Sequence, residues 1–184
     1  MLPGIHQPEL KNYTLKRSLN KYLSTLSRKD LEQEVKKLYD IFKPVREYYQ
    51  LELDESTAEI LQHYKDKIKA EYFPKRGFGR AGNGASRKVI TEFKKISTHP
   101  KDVVELWLYR TEVMIDFTLE FGDIDEPFYN SLASGFEQAC KIMQKEQLST
   151  EFRSYAQLML SKTFGLGWGI HDELKYIYDK YVEL

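Results

Sequence analysis

The sequence predicts an all-α protein, a compact bundle of roughly eight or nine helices arranged in antiparallel hairpins. Apolar residues recur at three- and four-residue steps through most of the chain, and no stretch shows the strict alternation of a half-buried β-strand. Short breaks rich in proline, glycine or helix-capping residues separate the periodic stretches. From Pro100 onward the helices resemble two hairpins stacked side by side, a solenoid-like arrangement without a visible repeat of fixed period.

The amino-terminal part of the chain predicts a flexible arm and two amphipathic helices. Residues 1–13 contain two prolines and a glycine without periodicity, which favours an arm before a single helical domain over 14–184. The first helix begins at Thr14, and Ser27 with Asp30 predicts an N-cap and a near capping box for the second. The tight connection predicts an antiparallel hairpin of these two helices. Their apolar stripes are Leu15, Leu19, Tyr22, Leu23 and Leu26 in the first helix, and Leu31, Val35, Leu38, Tyr39 and Phe42 in the second.

The middle of the chain holds two further helices and one break. A short third helix begins near Pro44, and a fourth runs from residues 54–56 to about Tyr72. A glycine-rich basic loop over 74–86 follows. Ser86 is the expected N-cap of the fifth helix.

The longest and most apolar helix candidate runs from Pro100 to Phe121, and Gly122 is expected at its end. Its apolar residues cover more than one stripe, so we expect it to be the central helix of the core. Three more helices follow, and their expected starts are Asp125 with Glu126 and Pro127, then Ser149, then the residues after the turn at 165–169. The apolar set of the eighth helix is Phe152, Tyr155, Leu158, Met159 and Phe164.

Composition limits the classes of partner. The 184 residues, 41% hydrophobic and 30% charged, are typical of one globular domain. The 28 basic and 28 acidic residues cancel, so any attraction for nucleic acid must come from a local patch. No apolar run is long enough for a membrane span, and the amino terminus lacks the apolar region of a signal peptide. With a single cysteine, Cys140, at an apolar helix position, we expect a buried inert thiol, a cytoplasmic location and no membrane association.

Several motifs resemble those of an uncharacterised bacterial protein family, a domain of unknown function. The motifs are YLSTLS at 22–27, EYY at 47–49 and EYFP at 71–74, with a basic loop after them. The resemblance covers roughly the first two-thirds of the chain. It implies a small cytoplasmic bacterial helical protein, and it implies no activity, ligand or catalytic residue.

The basic loop is the segment whose composition differs most from its surroundings. The sequence PKRGFGRAGNGASRK holds four glycines and five cations but no acid, and it leads into a helix N-terminus. It matches neither the Walker pattern nor the dinucleotide-binding fingerprint, because no Gly-Lys-Ser/Thr ends it and no strand precedes it. Free N–H groups at the helix start favour phosphate. A solvated loop is the alternative. The candidate residues for binding an anion or nucleic acid are Lys75, Arg76, Phe78, Arg80, Arg87 and Lys88.

An acidic counterpart lies on the predicted central helix. Glu112, Asp116 and Glu120 are spaced four residues apart, so they share one helix face, and no Lys or Arg occurs between residues 111 and 140. Like charges at this spacing repel, so a cation, a basic partner or the basic loop should offset them. A metal site is disfavoured because a second helix supplies no Glu-x-x-His motif. We therefore interpret this face as a surface for a partner or for structural contacts.

No catalytic constellation is visible in the sequence. None of the four histidines has a spaced histidine or cysteine partner for zinc, and no Ser-His-Asp or Cys-His arrangement can be proposed. We expect no cofactor and no metal, and an enzyme is the least favoured class.

Two functional hypotheses follow. The first is a non-enzymatic protein-interaction module whose acidic face and aromatic-basic loop contact another protein or a second copy of the chain. The second is a binder of nucleic acid or of a phosphate ligand, with the cations of the loop as its electrostatic footprint. Contact between the acidic face and the basic loop would remove the reason for the second hypothesis.

Overall fold

The computed structural model describes residues 7–53, 57–77 and 79–183. These residues form nine α-helices and no strand, which confirms the predicted all-α class. Among them, no helix is both long and apolar enough to cross a bilayer. The helices are α1 Gln7–Leu23, α2 Arg28–Ile41, α3 Lys43–Leu53, α4 Ala58–Ala70, α5 Asn83–Phe93, α6 Pro100–Phe121, α7 Glu126–Lys145, α8 Ser149–Lys162 and α9 Ile170–Tyr181.

The chain divides into two compact units, Met1–Arg46 and Glu47–Leu184. The single domain predicted over 14–184 stays a prediction. In the first unit, α1 begins at Gln7, so part of the predicted arm is helical, and the rest of the arm lies outside the described residues.

The start of α2 carries the predicted capping box. The Ser27 hydroxyl accepts a hydrogen bond from the backbone N–H of Asp30 at 3.2 Å, and the Asp30 carboxylate accepts one from the backbone N–H of Ser27 at 3.2 Å. Both bonds satisfy N–H groups that have no partner inside the helix. The sequence therefore fixes where α2 begins.

Most residues of the two predicted apolar stripes of the first unit are exposed, whereas Leu23 and Leu26 of the first stripe are half-buried. No residue of α2 is buried. We define the α2 stripe as Leu31, Val35, Leu38, Tyr39 and Phe42, whose exposed fractions lie between 36% and 49%. We define the α1 stripe as Leu15, Leu19 and Tyr22, with exposed fractions of 69%, 50% and 48%. An amphipathic helix usually buries such a stripe.

The second unit is built around α6, as predicted. Helix α6 packs against α4, α5, α7 and α8, and α7 also packs against α9. Residues on more than one side of α6 are buried, and Gly122 ends the helix with a φ of 84°, a conformation that favours glycine. The buried side chains of α6 include Val104, Leu106, Trp107, Leu108, Arg110, Met114, Ile115 and Phe117.

Three details of the second unit differ from the sequence prediction. Helix α5 begins at Asn83, one turn before the predicted N-cap Ser86, and the side chain of Ser86 is fully buried. Ser149 is the first residue of α8, and no side chain caps that helix. Leu158 and Phe164, expected in the apolar set of α8, are 45% and 72% exposed. For Ser86, the hydrogen bond from Arg110 in the core overrides its local preference for an N-cap.

Candidate functional site

The glycines of the basic loop are required by close packing. A Cβ atom on Gly79 would lie 2.8 Å from the backbone oxygen of Tyr72 and 2.8 Å from the ring of Phe117. A Cβ atom on Gly82 would lie 2.7 Å from the backbone oxygen of Glu71. All three distances are shorter than real Cβ contacts allow. The loop is therefore packed against the end of α4 and against α6, and this contact explains two of its four glycines.

The cations of the loop differ in their surroundings. The guanidinium of Arg80 donates to the Glu71 carboxylate at 3.0 Å. Lys75, Arg76, Arg87 and Lys88 are exposed, and no ion pair between described residues includes any of them. Phe78 lies outside the described residues. The charges of Lys75, Arg76, Arg87 and Lys88 are therefore available to an anion from solution.

Behind the loop lies a fully buried arginine that the sequence analysis missed. Arg110 of α6 donates from Nε to the Ser86 hydroxyl at 2.8 Å, and from Nη2 to the Ser131 hydroxyl at 2.7 Å. Nη1 donates to the backbone oxygen of Ser131 at 3.1 Å, and Nη2 also reaches that of Asn83 at 3.3 Å. The Tyr72 hydroxyl lies 2.9 Å from the Ser86 hydroxyl. One cation thus joins the first turn of α5 to α7.

All these acceptors are neutral. No ion pair between described residues involves Arg110, and its hydrogen-bond partners are hydroxyl and carbonyl oxygens. Burial is the largest influence on the pKa of Arg110 and lowers it, Tyr72 acts in the opposite direction, and the nearby charge of Arg87 lowers it further. A buried charge without an opposite charge is costly unless hydrogen bonds satisfy it. The sequence does contain a signal for this residue, because Arg110 is an arginine within the longest apolar helix.

A groove of about 450 Å³ opens beside this network. Among the described residues, its lining comes from the first two turns of α5 and α7 and includes no acid: Asn83, Gly84, Arg87, Pro127, Asn130 and Ser131. No side chain caps α5, and residues of its first turn line the groove together with Arg87, so the positive end of the helix lies at the groove. The groove combines one exposed cation, a positive helix end and neutral hydrogen-bonding side chains, the chemistry that suits a phosphate group.

The acidic face on α6 is offset by a lysine of α8. Lys162 donates to Glu112 at 2.8 Å and to Asp116 at 3.1 Å, and the Tyr155 hydroxyl donates to Glu112 at 2.6 Å. Burial alone would raise the pKa of Glu112, but the hydrogen bonds from Lys162 and Tyr155 outweigh it and lower the pKa. Glu120 is exposed. The cation that offsets the expected repulsion comes from α8, so the charges of the basic loop are not used for it.

The remaining reactive side chains have structural contacts. Cys140 is fully buried, and burial raises the pKa of its thiol to about 12, which makes it inert as expected. Nδ1 of His171 lies 2.9 Å from the Thr163 hydroxyl, and the His171 ring lies against Phe164 at 3.9 Å between centroids. Within the described ranges, no three histidine, cysteine or acidic side chains are grouped closely enough to hold a metal ion.

Comparisons with known proteins place the chain in a family. Searches of curated proteins and of solved structures returned no significant match. The model of a family of unknown function, DUF6155, matches residues 14–182. This match covers most of the chain and includes both the basic loop and the Arg110 network. The chain therefore belongs to the DUF6155 family of unknown function.

Proposed function

We propose that this protein is a non-enzymatic protein-interaction module whose docking surface is the α2 stripe. The observation that carries the proposal is that α2, a helix with a complete capping box, buries none of its residues. Its apolar side chains at 31, 35 and 38 lie on one side with Phe42 directly after the helix, and polar residues occupy the other side. A contiguous apolar patch exposed on a protein surface is typical of a binding site.

The contacts of the acidic face support this choice of surface. The repulsion between Glu112 and Asp116 was one reason to expect a basic partner, and Lys162 supplies the opposite charge within the chain. The side chains of the α2 stripe remain between 36% and 49% exposed. We also propose a bacterial, cytoplasmic setting, supported by the sequence resemblance and by the single inert thiol of Cys140.

The proposal is tested by site-specific photo-crosslinking in cells. A photoreactive amino acid at Val35, in the middle of the α2 stripe, should give protein adducts under irradiation. The same amino acid at Gln33, exposed on the opposite face of α2, is the matched control and should give few. Equal adduct yields at positions 33 and 35, or none at 35, would contradict the proposal.

Binding of a phosphate-bearing ligand is the second candidate, favoured by the acid-free groove beside Arg87. Arg87 and the uncapped start of α5 face this groove, and the buried Arg110 fixes the position of both elements. Lys75, Arg76 and Lys88 are the other cations that could contact a nucleic-acid backbone. Since each neutralised phosphate releases counterions, such binding would weaken steeply with salt.

The second candidate is tested by titrating a labelled single strand and a duplex across a salt series. We expect salt-steep binding that is lost when Arg76, Arg80 and Arg87 are changed to Ala. A control with Lys29, Lys36 and Lys37 changed to Ala removes as much charge from α2 and should retain binding. Inorganic phosphate that protects the protein from thermal unfolding, without strand binding, would indicate a small phosphate ligand. No effect of any of these ligands would exclude this candidate.

A further inference from the structure

The spacing of the two exposed stripes is that of helices that pack against other helices. The α1 stripe follows a step of four and then three residues through Leu15, Leu19 and Tyr22. The α2 stripe has steps of four, three and four through residues 31, 35, 38 and 42. Apolar residues at an average step of 3.5 form the contact line of helix pairs and four-helix bundles. Each stripe therefore fits another helix better than it fits a flat surface.

The exposed apolar area is large enough for a stable interface between two chains. The eight side chains of the two stripes are between 36% and 69% exposed. At roughly 100 Å² each, they expose on the order of 800 Å², about the area that one partner contributes to a standard interface. Each of these side chains keeps at least 36% of its surface exposed, so neither stripe is buried within its own chain.

Charge beside the stripes favours pairing of α1 with α2. Between residues 14 and 23, α1 carries three cations and no acid, and Lys16 lies beside the α1 stripe. On one side of the α2 stripe Glu32 pairs with Arg28 at 3.1 Å and Lys36 lies beside it, whereas on the other side Glu34 has no partner among the described residues. Opposite charges beside an apolar helix contact select the partner helix. A second copy of this chain supplies both the basic helix and the acid at Glu34.

Resting on the function proposed above, we infer that the partner is a second copy of the chain. The α1 stripe of each copy packs on the α2 stripe of the other. A two-fold axis relates the copies, so each makes the same pair of contacts and the four helices form one bundle. This arrangement covers both stripes with one kind of contact.

Sedimentation velocity of the purified full-length chain between about 1 and 100 μM tests the inference. We expect a dimer. Val35→Glu with Leu38→Glu should shift it to monomer, weakening association by at least about 100-fold, because two charges would enter an apolar contact. The control Gln33→Glu with Lys37→Ala adds the same negative charge on the opposite face and should remain dimeric. Circular dichroism checks that the helices persist, which we expect because the changed residues are exposed.

A charge exchange tests the pairing of α1 with α2. Lys16→Glu alone should weaken the dimer several-fold, and adding Glu34→Lys should recover most of the loss. A dimer unaffected by Lys16→Glu would overturn this pairing. A wild-type chain that stays monomeric at 100 μM would overturn the second copy as partner. If that monomer still formed adducts at position 35 in cells, the proposed function would stand while this inference failed.

Discussion

Gly135→Ala should destabilise the protein although it places a better helix former in α7. A Cβ atom at this position would lie 2.8 Å from Nη1 of Arg110, and the ring of Trp107 is 3.5 Å away. The end of an arginine side chain could usually move aside. Here the guanidinium is fully buried and its nitrogens donate to Ser86 and Ser131. Any movement that relieves the contact lengthens those hydrogen bonds.

The expected magnitude follows from two opposed terms. Replacing glycine by alanine inside a helix contributes about 1 kcal/mol of stability. Forcing an extra methyl group into a packed site costs about 1–3 kcal/mol. Because Arg110 is buried and hydrogen-bonded, we expect the cost to exceed the gain, with a net loss of up to about 2 kcal/mol. For a chain of this length, such a loss lowers the midpoint of thermal unfolding by up to about 8 °C.

The measurement is urea unfolding followed by tryptophan fluorescence, since Trp107 is buried next to the changed site. Gly84→Ala is the matched control. Gly84 also lies in a helix, but nothing stands within 4 Å of its Cβ position, so that change should be neutral or stabilise by up to about 1 kcal/mol. In an Arg110→Met background, Gly135→Ala should cease to destabilise. A Gly135→Ala protein as stable as Gly84→Ala would refute the reasoning.

Three further predictions concern the Arg110 network, the packed loop glycine and the Lys162 ion pair. Arg110→Met should lower the free energy of unfolding by about 2–4 kcal/mol, because both Ser131 oxygens lose their donor. A free energy of unfolding equal to that of the wild type would contradict this. Gly79→Ala should cost about 1–3 kcal/mol in the same assay, because the backbone oxygen of Tyr72 cannot move aside; an unchanged midpoint would show that the loop can shift. Lys162→Met should cost about 1 kcal/mol at pH 7, with Arg153→Met, an exposed site, as control. The folded-state pKa of Glu112 is lowered below its usual 4.5. The stability from this pair is therefore present above pH 4.5 and lost as pH falls through the folded pKa. A loss of stability in Lys162→Met that stays constant down to about pH 3 would contradict this assignment.

Much of the fold could be predicted from the sequence because helix signals are local. The capping box at Ser27 and the glycine at 122 involve residues within one turn of each other, and both are present in the structure. The apolar length of 100–121 was enough to identify the central helix, since covering more than one stripe requires neighbours on several sides. The actual start of α5 was not predicted, because packing of Ser86 against Arg110 overrides its preference for an N-cap.

The candidate sites depended more on tertiary structure. The sequence identified the cations of the loop and the spacing of Glu112 and Asp116, but not that Lys162, some 50 residues away, would offset those acids. It likewise gave no sign that Gly79 and Gly82 are needed for packing.

By itself, the sequence determined the helical class, the central helix and the apolar stripes of α1 and α2, because periodicity and capping depend on neighbours a few residues apart. Only the tertiary structure decided that the α2 stripe is exposed and that Arg110 is buried among neutral acceptors. Burial depends on which distant segments pack together, and the period of a helix is the same whether its apolar side faces the core or a partner.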